Sequence, residues 1–309
     1  MLAATRRWTD RLYQYPVLLL TLTSLFWAGN AIASRLAVGQ ITPLSIVFLR
    51  WIMVMGMLWP LYGADVRAHW PVLRPHMPRI ALMGSLGFTG FNVLFYLSAY
   101  YTSAINIGIL QGALPVFVIA GAFLVHGTRS TPIQLTGVFI TMVGVIVIAT
   151  GGAPLSILDI GLNRGDLFMI IACALYAFYT VALRDRPAVP GGAFFTVLAL
   201  VAAASSLPLL VIEAMMTGVK MPTLQGWLVA VYVAIFPSCL SQLFYMRGVD
   251  LIGPARAGVF INLVPAFSAI LAVVMLGEPF AMFHAVALVL VIGGIWLAQR
   301  SRPAGGKKA

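Results

Sequence analysis

Apolar runs of about 20 residues recur along the whole chain, each closed by a short stretch rich in charge, glycine or proline. A helix of that length crosses a hydrocarbon core about 30 Å thick. The runs therefore predict ten transmembrane helices, over 16 to 37, 43 to 62, 79 to 100, 103 to 125, 132 to 150, 164 to 184, 193 to 215, 225 to 247, 254 to 276 and 281 to 299. Polar side chains interrupt several runs at helical spacing, which puts them on one face. In the first span that face carries Ser24, Trp27, Asn30 and Ser34, and in the third Ser85, Asn92, Tyr96 and Tyr100. Gln111 sits one turn before Pro115 in the fourth, and Asn262 one turn before Pro265 in the ninth. Tyr176, Tyr179 and Thr180 mark the sixth, and Ser238, Ser241, Gln242 and Tyr245 the eighth.

Polar groups facing lipid are costly, so these faces are expected to look inward. Bonding between neighbouring helices explains any one of them. It does not call for so many aromatic groups at common depths. The fifth and tenth spans differ: Gly137, Thr141 and Gly144, and Ala287, Val291 and Gly294, form small-residue stripes suited to close helix approach, as scaffold or as a dimer contact. Pro115 and Pro265, in the middle of their spans, are candidate hinges or static kinks.

Composition agrees with a membrane solvent, at 61% hydrophobic and 9% charged residues with a mean hydropathy of +0.99. The net charge of +11 lies in short loops and at the ends and forms no basic stripe, which excludes a nucleic-acid partner. Cationic loops stay on the cytoplasmic side. With both termini inside, fifteen Lys and Arg residues fall on that side, and only Arg35, Arg164 and Lys220 fall on the other. Arg50 is the strong charge inside a span, expected to snorkel or to pair with a loop carboxylate. The run from Pro16 is too long for the core of a cleaved signal, although Ala31-Ile32-Ala33 resembles a cleavage site. Cys173 and Cys239 lie in apolar runs without ligand spacing, and His69, His76, His126 and His284 lie in loops or near span ends. Neither a metal site nor an enzyme centre is expected.

The halves of the chain match at a shift of about 150 residues. Pro115-Val-Phe117 lies over Pro265-Ala-Phe267, Gly108 over Gly258, Gly127 over Gly277, Gly144 over Gly294, and Arg35 over Arg184. Residues 1–152 and 153–309 thus form two five-helix repeats. Five is odd, so the second repeat enters the bilayer upside down. The fold class is an all-α membrane protein of two inverted-topology repeats, an architecture that puts a substrate site near the midplane between them. Asp166, Glu213 and Glu278 fall near span ends, and no acid sits in mid-span. A neutral or zwitterionic substrate moved without tight proton coupling is expected.

Trp27-Ala-Gly-Asn30, the two proline helices and Gly277-Glu278-Pro279 make the chain resemble the drug/metabolite transporter superfamily, in its ten-helix EamA-type members. Its aromatic interior is most similar to that of the YddG-type aromatic amino acid exporters. That resemblance implies export of Phe, Tyr, Trp and other neutral amino acids across a bacterial inner membrane, without cofactor or obligatory ATP. On this reading the substrate ring stacks among Trp27, Tyr96, Tyr176, Tyr179 and Tyr245, while Asn30, Gln111, Gln242 and Asn262 bond its ammonium and carboxylate. Asn92 and Tyr100 complete the expected wall. The partners are a small-molecule substrate and the bilayer, with a monomer sufficient. The alternatives are a drug or nucleotide-sugar carrier of the same superfamily, and a membrane receptor that does not transport.

Overall fold

The computed structural model describes residues 14–127, 131–153, 163–218, 220–252 and 260–300, and all regular structure among them is helical. In chain order the helices are α1 (Pro16–Ala37), α2 (Pro43–Ala68), α3 (Trp70–Ser98), α4 (Ala104–His126), α5 (Pro132–Ala149), α6 (Arg164–Asp185), α7 (Gly191–Thr217), α8 (Leu224–Ile252), α9 (Leu263–Leu276) and α10 (Met282–Arg300). Seven of them, α1 to α4 and α6 to α8, are long and apolar enough to cross a membrane. The described apolar stretches of α5, α9 and α10 are shorter, and residues 254 to 259 of the expected ninth span lie outside the described residues.

Local signals set the helix ends. Proline opens α1, α2 and α5, where a missing N–H costs nothing. The side chains of Thr42, Ser103, Thr131, Asn163 and Thr223 accept the first free N–H groups of the helices they precede. Gly127 and Gly277 stop α4 and α9 with φ of 61° and 64°, a left-handed turn that glycine adopts without a Cβ penalty. α2 and α3 are longer than the apolar runs implied, because each extends beyond the membrane-length stretch as a polar tail through Asp65 and Arg67 and through Arg74 and His76.

Large apolar side chains point outward, among them Leu124, Phe139, Ile212, Val274 and Val289, while Asn30, Arg50, Asn92 and Asp166 are buried. That inversion suits hydrocarbon and would not survive in water. α5 packs along α10, with the two glycine stripes face to face: a Cβ on Gly137 would come within 2.5 Å of the Ala298 nitrogen, and one on Gly144 within 2.9 Å of Val291. The stripes are therefore spent on each other within one chain.

The other close pairings are α2 with α7 and α8, α3 with α7, α4 with α9, α1 with α8 and α9, and α6 with α3 and α4. This set is unchanged when each helix is exchanged for the one five places away in the chain. Two irregularities recur at the same interval. π-helical segments lie at Ser85–Gly90 in α3 and Ala234–Leu240 in α8, while a third, Ala272–Leu276 at the end of α9, has no counterpart in α4. Two-residue turns at Gly112–Ala113 and at Ile261–Asn262 interrupt the fourth and ninth helical stretches. A side chain of a neighbouring helix reaches a carbonyl at each interruption: Ser24 Oγ donates to the Phe260 oxygen at 2.7 Å, and Cys173 Sγ to the Leu110 oxygen at 3.6 Å.

The interruptions correct the hinge picture in one respect. Pro115 and Pro265 fall in the first turn of a new helical segment, at the second residue of Leu114–His126 and the third of Leu263–Leu271. There the N–H has no intrahelical partner in any case, so proline costs the helix no bond.

Candidate functional site

The π-helical segments bring the site into being. A π turn widens the helix and rotates the residues that follow it. Ser238 donates to the Val233 carbonyl and Ser241 to the Phe236 carbonyl at 2.7 Å, each five residues back, which satisfies the oxygens the wide turn exposes. In α3, Gly87 lets Tyr179 of α6 approach so closely that no Cβ would fit between them. The two segments face each other across a cavity of about 230 Å³.

Its wall is drawn from both halves of the chain. Trp27 and Asn30 come from α1, Arg50 and Trp51 from α2, and Phe88, Phe91 and Asn92 from α3. Gln111 closes the segment before the α4 turn. Opposite them stand Tyr176, Tyr179 and Thr180 of α6, Phe195 of α7, and Pro237, Ser238, Gln242 and Tyr245 of α8. Among the described residues, none of α5 or α10 lines the wall.

Aromatic rings fix the shape of this space. Trp51 stacks on Phe88 with centroids 4.7 Å apart, Phe88 meets Tyr179 at 4.9 Å, Phe91 meets Tyr176 at 5.1 Å, and Trp27 meets Tyr245 at 5.6 Å. Trp27 Nε1 also donates to the Pro237 carbonyl at 3.1 Å, tying α1 to the π segment of α8. Such pairs are worth about 1 kcal/mol beyond their buried area and hold a fixed geometry.

Eight of the expected site residues stand on this wall: Trp27, Asn30, Asn92, Gln111, Tyr176, Tyr179, Gln242 and Tyr245. Three do not. Tyr96 is fully buried behind the wall, Tyr100 is 41% exposed past the end of α3, and Asn262 lies in the turn before α9, where its neighbours Ile261 and Val264 reach the cavity instead.

Arg50 is the principal correction. It neither snorkels nor meets a loop carboxylate; it is 5% exposed and its Nη1 donates to Tyr96 Oη at 2.9 Å and to Asn30 Oδ1 at 3.3 Å. Tyr96 in turn donates to Asn30 at 3.1 Å. The reason is depth: in mid-helix and facing the interior, the guanidinium meets a hydroxyl and an amide before any loop carboxylate. Arg50, Trp51, Phe88, Phe91 and Phe195 are among the wall residues that the sequence pattern did not mark.

At one end of the helix bundle, at the last turns of α1 and α3, Arg35 lies 3.8 Å from Glu278 and donates to the Ala99 carbonyl. Glu278 also accepts from the Ala104 and Ile105 N–H groups, at 2.9 and 3.0 Å, capping α4. Asp166 accepts from Thr102 at 2.6 Å and Thr42 donates to Glu213. At the other end a second space of about 430 Å³ shares Tyr179, Phe195, Gln242 and Tyr245 with the first and leads past Tyr62 to Arg186, Arg247 and Asp250. Cys173 and Cys239 are free and buried, and no group of acid, His or Cys side chains among the described residues is arranged to hold a metal.

A model of the EamA-like transporter family matches the chain twice, over residues 14–150 and 163–299. The chain belongs to the EamA-like transporter family. The two EamA-like matches are separated by 149 residues at both ends, the interval that relates the π segments and the helix interruptions. An uncharacterized transporter of Archaeoglobus fulgidus is 29% identical over 91% of this chain and 96% of its own length. The uncharacterized transporter YyaM of Bacillus subtilis is 27% identical over 74% of each chain. The uncharacterized inner membrane transporter YedA of Escherichia coli K12 is 24% identical over 88% of this chain and 87% of its own. A solved crystal structure shares the fold, with a TM-score of 0.62, 19% identity, and coverage of 92% of this chain and 96% of that one. The protein is a multi-pass membrane protein of a transporter family.

Proposed function

We propose that this EamA-like protein is a ten-helix transporter of the bacterial inner membrane. It exports small neutral or zwitterionic metabolites, aromatic and other amino acids foremost, by alternating access between two inverted five-helix repeats, residues 1–152 and 153–309. The double family match supports the duplication, and the helix pairings, which survive exchange of the halves, support a two-fold relation between them. Fifteen basic residues at one membrane face against three at the other favour both termini in the cytoplasm.

The observation that carries the reading is the cavity between the halves, walled by both π segments, with the Arg35–Glu278 pair at one end of the bundle and a continuation toward Arg186 and Arg247 at the other. That asymmetry is what a carrier open to the cytoplasm presents. Its mirror state follows from exchanging the conformations of the two repeats. The described wall holds one cationic residue, where a nucleotide-sugar carrier needs several for its phosphates.

Uptake of labelled Phe, Trp, Thr and a cationic drug into liposomes holding the purified protein tests this, with and without a pH gradient. The expected result is saturable amino acid flux that ignores the gradient. Drug flux that needs the gradient would overturn both substrate class and mechanism.

A further inference from the structure

We infer that Arg50 is the substrate's carboxylate anchor, so that the cavity requires a carboxylate on its ligand and dispenses with the ammonium group. The inference rests on the transport reading for its setting and narrows the substrate class of the same site. Both hydrogen bonds of Arg50 leave from Nη1. Among the described residues its Nε, a buried atom, has no hydrogen-bond partner, Nη2 is bonded to no protein acceptor, and the guanidinium carbon lies 5.5 Å from the centroid of the Trp51 ring. The edge formed by Nε and Nη2 is the one that meets a carboxylate with two parallel bonds.

No acid of the described residues neutralises it. Arg50 is the charged side chain of the described wall. The carboxylates of the described residues are engaged or sited elsewhere: Asp166 with Thr102 and Asn106, Asp185 with Arg79, Glu213 with Thr42, Glu278 with Arg35, Asp65 at the end of α2, and Asp250 on the second space. A buried cation without a counter-ion is costly, and a bound anion relieves that cost. Asn30 and Tyr96 both accept from Nη1 and carry no negative charge that would repel an anion from the guanidinium. The wall offers an ammonium only uncharged partners, such as Gln111, Asn92 and the aromatic faces. Carboxylate plus Arg50 is neutral, whereas a zwitterion leaves one positive charge buried. Stacked rings at Trp51 and Phe88 receive an apolar body beside the anchor.

Purified full-length protein in detergent, with ligand-induced melting shifts as the readout, tests this with four probes of one skeleton: phenylalanine, 3-phenylpropionate, phenylalaninamide and phenethylamine. The two carboxylates are expected to bind within about tenfold of each other, and the amide and amine at least about tenfold more weakly. Arg50→Gln is expected to flatten that ranking, and Arg50→Lys to keep the carboxylate preference at reduced affinity. Equal binding of phenethylamine and 3-phenylpropionate to the wild type, or no shift with any carboxylate, overturns the inference, and so does an unchanged ranking in Arg50→Gln. The wild-type series decides even if the variants do not fold. Arg50-dependent carboxylate binding without flux in liposomes would leave the anchor standing and sink the transport reading; flux with an Arg50-independent ranking would do the reverse.

Discussion

Tyr96 shows how a single side chain changes role with depth. Its spacing with Asn92 puts it on the inward face of α3, yet it sits behind the wall, receiving Arg50 and donating to Asn30. Tyr96→Phe removes a hydrogen bond to a charged group, worth about 1.5–3 kcal/mol. It is expected to lower the melting temperature and weaken substrate affinity several-fold, measured by thermal denaturation and by concentration-dependent uptake. Trp27→Ala and Gln242→Ala, by contrast, are expected to cut transport while leaving the folded yield intact; unchanged flux in both variants would remove these residues from the site. Trp27, Tyr176 and Gln242 were legible because a polar or amphipathic group in an apolar run stands out. Trp51, Phe88 and Phe91 were not, since an apolar ring among apolar residues carries no contrast. Tyr100 was misplaced because α3 ends at Ser98 and the helical period does not continue beyond it.

At the scale of elements, the glycine contacts and the helix interruptions set different tolerances. Because Pro115 opens a segment, Pro115→Ala is expected to change stability by less than about 1 kcal/mol, in contrast to the ~3 kcal/mol of a proline inside a continuous helix. Gly137→Leu forces apart α5 and α10, whose backbones meet there, and is expected to destabilise the protein by about 1–3 kcal/mol or more, seen as lost monodisperse yield in detergent. Apolar runs and the prolines announced these helices from sequence. The π segments gave no such signal: Ser85–Gly90 and Ala234–Leu240 share only small residues and a position, and the widened turn depends on what packs against it. The turn at Ile261–Asn262 likewise removed Asn262 from the helical face that its spacing implied.

For the whole molecule, the duplication that the double family match reports could be read from prolines and glycines because they mark backbone geometry, as Gly127 and Gly277 do with their shared left-handed turn. Which end of the bundle is tied across was not legible, since it depends on contacts far apart in sequence, such as Arg35 with Glu278. Glu278→Ala removes that pairing and the cap on α4. In a background lacking Cys173 and Cys239, a Gln242→Cys reporter is expected to react with an impermeant thiol reagent mainly from the cytoplasmic side, and Glu278→Ala to raise its labelling from the opposite side. If one cavity serves both faces in turn, counterflow follows. Liposomes containing the protein and preloaded with unlabelled phenylalanine should accumulate labelled phenylalanine transiently and faster than empty ones. Equal rates from loaded and empty liposomes, or binding without any flux, would contradict alternating access through this site.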